Sequence, residues 1–150
     1  MSLKFLRRPR ADEPPPVPVE RPEVRQYRFL LRTAPFRDLH AYHRQALASV
    51  DPLIRAQVLS TLQERVLAGR ALTVDDTNTI ALLLTTAEVQ TPGVVVSALT
   101  DMALARVAGA VLRLPGAVRR LDGYDDWDGA DPDPRESAHR LPARRLVQPA

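Results

Sequence analysis

Apolar positions recur at helical spacing through the middle of the chain. Val24, Tyr27, Leu30 and Leu31 share one face of residues 23–32. Phe36, Leu39, His43, Ala46, Leu47 and Val50 continue with the same period. Ile54, Val58, Leu62 and Val66 then form an i, i+4 row beside Leu59. Ile80, Leu83, Leu84 and Ala87 mark a further helix, and residues 94–99 follow a turn. Met102, Ala105, Ala108, Val111 and Leu112 are expected to line the last helix.

The polar positions between these stripes read as helix starts and stops. Thr33-Ala34-Pro35, Asp51-Pro52 and Thr91-Pro92 each pair a capping side chain with a nearby proline, which loses nothing in a first helical turn. Thr73-Val74-Asp75-Asp76 has a capping-box outline, and its acids favour a helix N-terminus. Thr100-Asp101 resembles another cap. Gly69 suits the position after a helix end, and Pro115-Gly116 closes the last helix. The pattern predicts an all-α fold, a small bundle of about five helices whose short linkers make neighbours antiparallel or nearly so.

Composition divides the chain further. Residues 1–22 are expected to be a disordered basic, Pro-rich arm in which Asp12 to Pro22 favours extended polyproline II, read as a stiff spacer. Residues 23–114 form the helical domain. Residues 115–150 are expected to be a disordered tail of acidic and then basic blocks, ending with Arg140, Arg144 and Arg145. The formal charge is +3, but Lys4 is the sole lysine and the arginines are scattered among carboxylates, which weakens a nucleic-acid reading. The absence of cysteine excludes disulfides, thiolate metal sites and a cysteine nucleophile. The apolar stretch near Met1 is too short for a signal peptide, and no uncharged run is long enough to span a bilayer. The expectation is a cytoplasmic protein.

The stretch Tyr27, Leu30, Leu31, Thr33, Ala34, Leu39, His43, Ala46, Leu47, Asp51, Pro52, Arg55 and Val58 is similar to a block in small uncharacterised actinobacterial proteins. In that family a Tyr-x-x-Leu-Leu-x-Thr-Ala opening precedes a His-x-x-Ala-Phe helix and a Thr-Pro-x-x-Arg restart. Leu47 stands here for the family's Phe and Asp51 for its Thr. Asp75, Asp76, Ala87, Glu88, Thr91, Pro92 and Gly93 resemble a second block. Some members carry the label "cation-transporting ATPase". That chemistry requires a spanning helix with a P-loop or an Asp-Lys-Thr-Gly motif, and none is present, so the resemblance implies architecture without an activity.

Candidate chemistry is sparse. His40 and His43 lie one turn apart beside Asp38, a spacing that suits a shared metal, but His43 also falls on the apolar stripe of a packed helix. Asp126, Asp128, Asp131 and Asp133 lack the third ligand, glycine and terminal glutamate of a calcium loop. Residues 51–58 resemble one unit of a helical repeat without further copies. Ser49, Ser60 and Ser97 have no His/Asp arrangement around them, and Ala105 with Gly109 permits a close helix approach. No cofactor or metal is assigned, and the chain is read as not an enzyme.

Two features point instead to a protein partner. Tyr124 and Trp127 stand among Asp125, Asp126 and Asp128, an aromatic pair able to anchor in a pocket while the acids steer approach. Val94, Val95 and Val96 spread around a helix and call for a cover beyond the core, from another protein or a homo-oligomer. The expected function is a non-enzymatic protein-interaction module, an adaptor, accessory subunit or assembly factor. The alternative is a nucleic-acid- or membrane-surface-binding protein led by Lys4, Arg7, Arg8 and Arg10.

Overall fold

Pro22 opens the first helix of a computed structural model that describes residues 20–130. The basic decapeptide, most of the Pro-rich arm and the arginines near the C-terminus lie outside the described residues. The elements are α1 (Pro22–Thr33), α2 (Phe36–Ser49), α3 (Pro52–Arg65), α4 (Thr77–Gln90), α5 (Asp101–Leu112), α6 (Pro115–Val118) and a 3₁₀ turn at Tyr124–Asp126. The fold is all-α, with no strand among the described residues. No helix among them is long and apolar enough to cross a membrane.

Some caps follow the sequence pattern. Asp51 Oδ1 accepts from the Leu53 N–H at 2.8 Å with Pro52 in the first turn, and Thr100 Oγ1 accepts from the Ala103 N–H at 3.2 Å. Others differ. Thr33 does not cap α2: its hydroxyl turns back to donate to the Phe29 carbonyl, and Pro35 takes the capping position with its own carbonyl. Helix α4 begins at Thr77 rather than Thr73, because Asp76 spends its carboxylate on the Thr73 N–H and hydroxyl and so closes a turn before the helix. Thr91-Pro92 starts no α-helix, and residues 92–98 form tight turns instead. Pro115 closes one helix region and also opens α6, where its fixed φ suits a first turn.

At the end of α3 the left-handed position falls on Leu67, with φ +54°, two residues before the expected Gly69, which is left-handed as well at φ +80°. A Cβ on Gly69 would also press on Leu59, Leu72 and Leu83, at 3.3 to 3.4 Å. Arg55 closes the corner before α3. Its guanidinium donates to the Leu47 and Val50 carbonyls at the end of α2 and, through Nε, to Val74 at 2.9 Å. One side chain thereby ties α2, α3 and the α3–α4 connection together.

Helix α2 packs mainly on α4, and α1 on α5, while α5 also meets α2, α3 and α6. Tyr27, Leu30, Leu31, Leu39, Leu47, Val58, Leu62, Ile80, Leu84, Val107 and Val111 are fully buried between them. Each such side chain contributes about 1.5–3 kcal/mol relative to exposure. The α5 stripe is rotated from its expected phase: Ala103, Val107, Ala108, Ala110 and Val111 face inward, whereas Met102 is 64% exposed. The expected stripe followed the larger apolar residues, whereas the tightly packed face of α5 is filled largely by alanine. Ala105 and Gly109 make no close approach either, since a Cβ on Gly109 would meet nothing within 4 Å. Gly109→Ala is therefore expected to raise the unfolding free energy by about 0.5–1 kcal/mol, the usual gain inside a helix. Urea titration followed by circular dichroism checks it, and a loss of stability would show that α5 needs the gap.

Candidate functional site

The buried polar groups come first, since a reaction centre would draw on them. Helix α1 supplies Tyr27, α2 supplies His43 and α4 supplies Thr85, all three fully buried. Thr85 donates its hydroxyl hydrogen to the Ala81 carbonyl at 2.6 Å, so toward His43 Nδ1, 2.7 Å away, it accepts. His43 is therefore the Nδ1–H tautomer, and its Nε2 accepts the Tyr27 hydroxyl at 2.7 Å. Burial, helped by the neighbouring His40, lowers the His43 pKa from 6.5 to about 3, and burial beside Glu88 raises Tyr27 well above 10.0. Both imidazole nitrogens are committed, so His43 has no lone pair left for the metal that the His40–His43 spacing would suit. Among the described residues no group of three or more His, Asp or Glu side chains is placed to hold a metal.

Glu88, near the end of α4, is the second such group. It is the sole charged residue between Thr77 and Gln90, and it is fully buried. Its Oε1 accepts the N–H groups of Val95 and Val96 and its Oε2 that of Gly93, each at 2.8 Å. The buried Arg32 guanidinium lies 3.9 Å from Oε2. Burial raises the Glu88 pKa, while the three backbone donors and Arg32 pull it back. The carboxylate does for residues 92–98 what a helix would have done, satisfying N–H groups that bend into the core. A lone acid in an apolar helix was a signal for such a partner, and the sequence reading passed over it.

This carboxylate also corrects the expectation for the valine run. Val95 is fully buried and Val96 is 5% exposed, leaving Val94 half-buried at the edge. The run was expected to need an external cover because three successive residues span a helix circumference. In a turn fastened by Glu88 they do not, and two of them point inward.

The aromatic–acidic segment is placed by α1. Phe29 meets the rings of Tyr124 and Trp127 edge-on, with centroids 5.7 Å apart in both pairs. Arg25 and Arg28 stand over the Trp127 ring at 4.9 and 5.4 Å. Arg25 also donates to the Trp127 carbonyl at 2.6 Å and Arg28 to the Gly129 carbonyl at 2.8 Å. Asp125, Asp126 and Asp128 remain exposed. The domain boundary expected at residue 114 thus gives way to packed structure that reaches Gly129. The tail was expected to present its aromatics to another molecule, and here they lie on the chain's own helix because Phe29 needs a cover.

A different surface is left open. Leu53, Ala56, Gln57, Ser60 and Thr61 lie at i, i+3, i+4, i+7 and i+8 along α3, opposite its core stripe, and face Ala98, Leu99 and Thr100 across an open groove of about 400 Å³. Thr100 donates to Gln57 Oε1 at 2.9 Å across its floor. Leu53 on its rim is 73% exposed. None of the lining side chains is ionisable. No protein-family model, curated protein or solved structure matches the chain.

Proposed function

We propose that the protein is a non-enzymatic interaction module, an adaptor, accessory subunit or assembly factor, that receives an apolar segment of another protein in the groove between α3 and residues 98–100. One observation carries this reading: the groove is lined by apolar and neutral side chains alone, with Leu53 at its rim 73% exposed. Charge appears on that face of α3 at Glu64, which accepts from the Ser60 hydroxyl, so the neutral stretch is confined to residues 53–61. Such grooves take a helical or extended partner through a few apolar anchors, with neutral hydrogen-bonding groups fixing register. The buried polar groups support the same reading, since His43 and Glu88 spend their bonding capacity on the chain itself.

Leu53→Glu tests it. The substitution is on the surface, so folding is expected to be unchanged by circular dichroism. In affinity capture with the full chain, a protein retained stoichiometrically by the wild type is expected to be lost with Leu53→Glu. Light scattering on both chains shows whether that protein is a second copy. Retention of the same protein by both chains would refute the groove as the contact.

A further inference from the structure

Residues 124–129 sit on α1 as a peptide sits on a receptor. The contact is built from Trp, Tyr and Arg, the side chains that dominate binding energy where proteins meet. Two of its hydrogen bonds run from guanidinium groups to the Trp127 and Gly129 carbonyls, so α1 reads the backbone of the segment as well as its rings. Gly129 holds a left-handed φ of +82° that side chains disfavour, and a Cβ there would also make the Arg25 guanidinium shift, lying 2.5 Å from its Nη1. Gly123, with φ +84°, makes the bend that lets the segment turn back.

Two further observations distinguish this contact from core. Tyr124 and Trp127 stay half-exposed while Phe29 beneath them is 5% exposed, so the segment is a lid on a prepared surface. Charge is also complementary. The α1 side presents Arg25 together with Arg28, whose charge is shared with Glu20 at 2.7 Å, and the segment brings Asp125, Asp126 and Asp128, whose exposed carboxylates add long-range attraction.

We infer that the Arg25–Arg28–Phe29 face of α1 is a peptide-docking surface, occupied in cis by residues 124–129, and that its partner in trans is an acidic, aromatic segment of another protein. The tethered segment competes at an effective concentration in the millimolar range, typical of a short linker, and holds the surface closed until a partner outcompetes it. The apparent affinity of the partner is reduced by the fraction of chains that are open.

The test uses the full chain and a fluorescein-labelled peptide of residues 121–130. Tyr124→Ala with Trp127→Ala removes the cis anchors and leaves the receptor face intact. That double variant is expected to bind the peptide at least about tenfold tighter than the wild type, by anisotropy, because the competitor is gone. Adding Arg25→Glu and Arg28→Glu is expected to return binding to the wild-type level or below. Equal binding by wild type and double variant, with unchanged far-ultraviolet circular dichroism, would overturn the proposal. Unfolding of the double variant would overturn it too, since a releasable lid cannot be a pillar of the fold. Wild-type dimers that vanish with Trp127→Ala would reassign the face to exchange between copies and overturn the choice of partner. Leu53→Glu is expected to leave this titration unchanged, so the groove and the α1 face stand or fall separately.

Discussion

Acidification from pH 6.5 to pH 3 is expected to cost the protein several kcal/mol of folding stability through one side chain, His43. Its pKa falls from 6.5 when unfolded to about 3 in the bundle. Between those values the unfolded chain binds a proton that the folded chain refuses. The contribution is therefore intact above pH 6.5 and is lost as the pH falls through that window. The gap corresponds to about 5 kcal/mol at most, against a total of about 5–15 kcal/mol for a typical domain. Glu88 works in the opposite sense. Its raised pKa means the folded chain holds a proton longer than the unfolded one, so its share of stability declines as the pH rises above the usual carboxylate range. The two slopes can be separated with His43→Gln, whose amide can donate toward Thr85 and accept from Tyr27 without titrating. Urea midpoints measured from pH 3 to 7 should show a steep acid limb in the wild type and a much shallower one in His43→Gln. Parallel loss in both chains would remove His43 as the cause.

Glu88→Ala is expected to be the most damaging single substitution outside the apolar core. It strands the N–H groups of Gly93, Val95 and Val96 and leaves the Arg32 guanidinium beside an empty site. Unsatisfied buried donors cost about 1–3 kcal/mol each, so a loss of at least about 4 kcal/mol is expected in urea unfolding at pH 7. Glu88→Gln keeps one acceptor oxygen but aims an amide N–H₂ at a backbone donor, and should lose about half as much. Hydrogen exchange at the three amides gives a local check, because it should accelerate in both variants before the helices respond. A cost below about 1 kcal/mol for Glu88→Ala would mean that residues 92–98 find other partners.

The sequence disclosed helix faces where large apolar side chains fall on one row and misled where small ones fill the core. The Tyr27–Leu30–Leu31 face and the Ile54–Val58–Leu62 row are buried as their spacing requires. Asp51 and Thr100 cap as expected because each is followed at once by its helix. Thr33 and Thr73 do not, since a short polar side chain can bond equally within a neighbouring turn, and sequence alone does not say which direction wins; Thr91-Pro92 opens only turns. The candidate site was legible in part. Tyr124 and Trp127 were expected to anchor in another protein, whereas both rings pack on Phe29 about a hundred residues earlier on α1, a long-range pairing that helical periodicity does not encode. The α3 groove was hidden for another reason. A neutral stripe of Ala, Gln, Ser and Thr looks like ordinary solvent-facing surface until the opposite wall at 98–100 is in place.

The small side chains of α5 decide how freely this chain can change. Ala103 and Ala108 are fully enclosed on a helix touched by α1, α2, α3 and α6. A larger residue at either position has no direction in which to relax, because the space it would take is already held by a neighbour. Met102, one step along the same helix and much larger than alanine, lies in the open. Divergent copies of this protein should therefore drift at the bulky Met102 and hold fast at the enclosed alanines of α5.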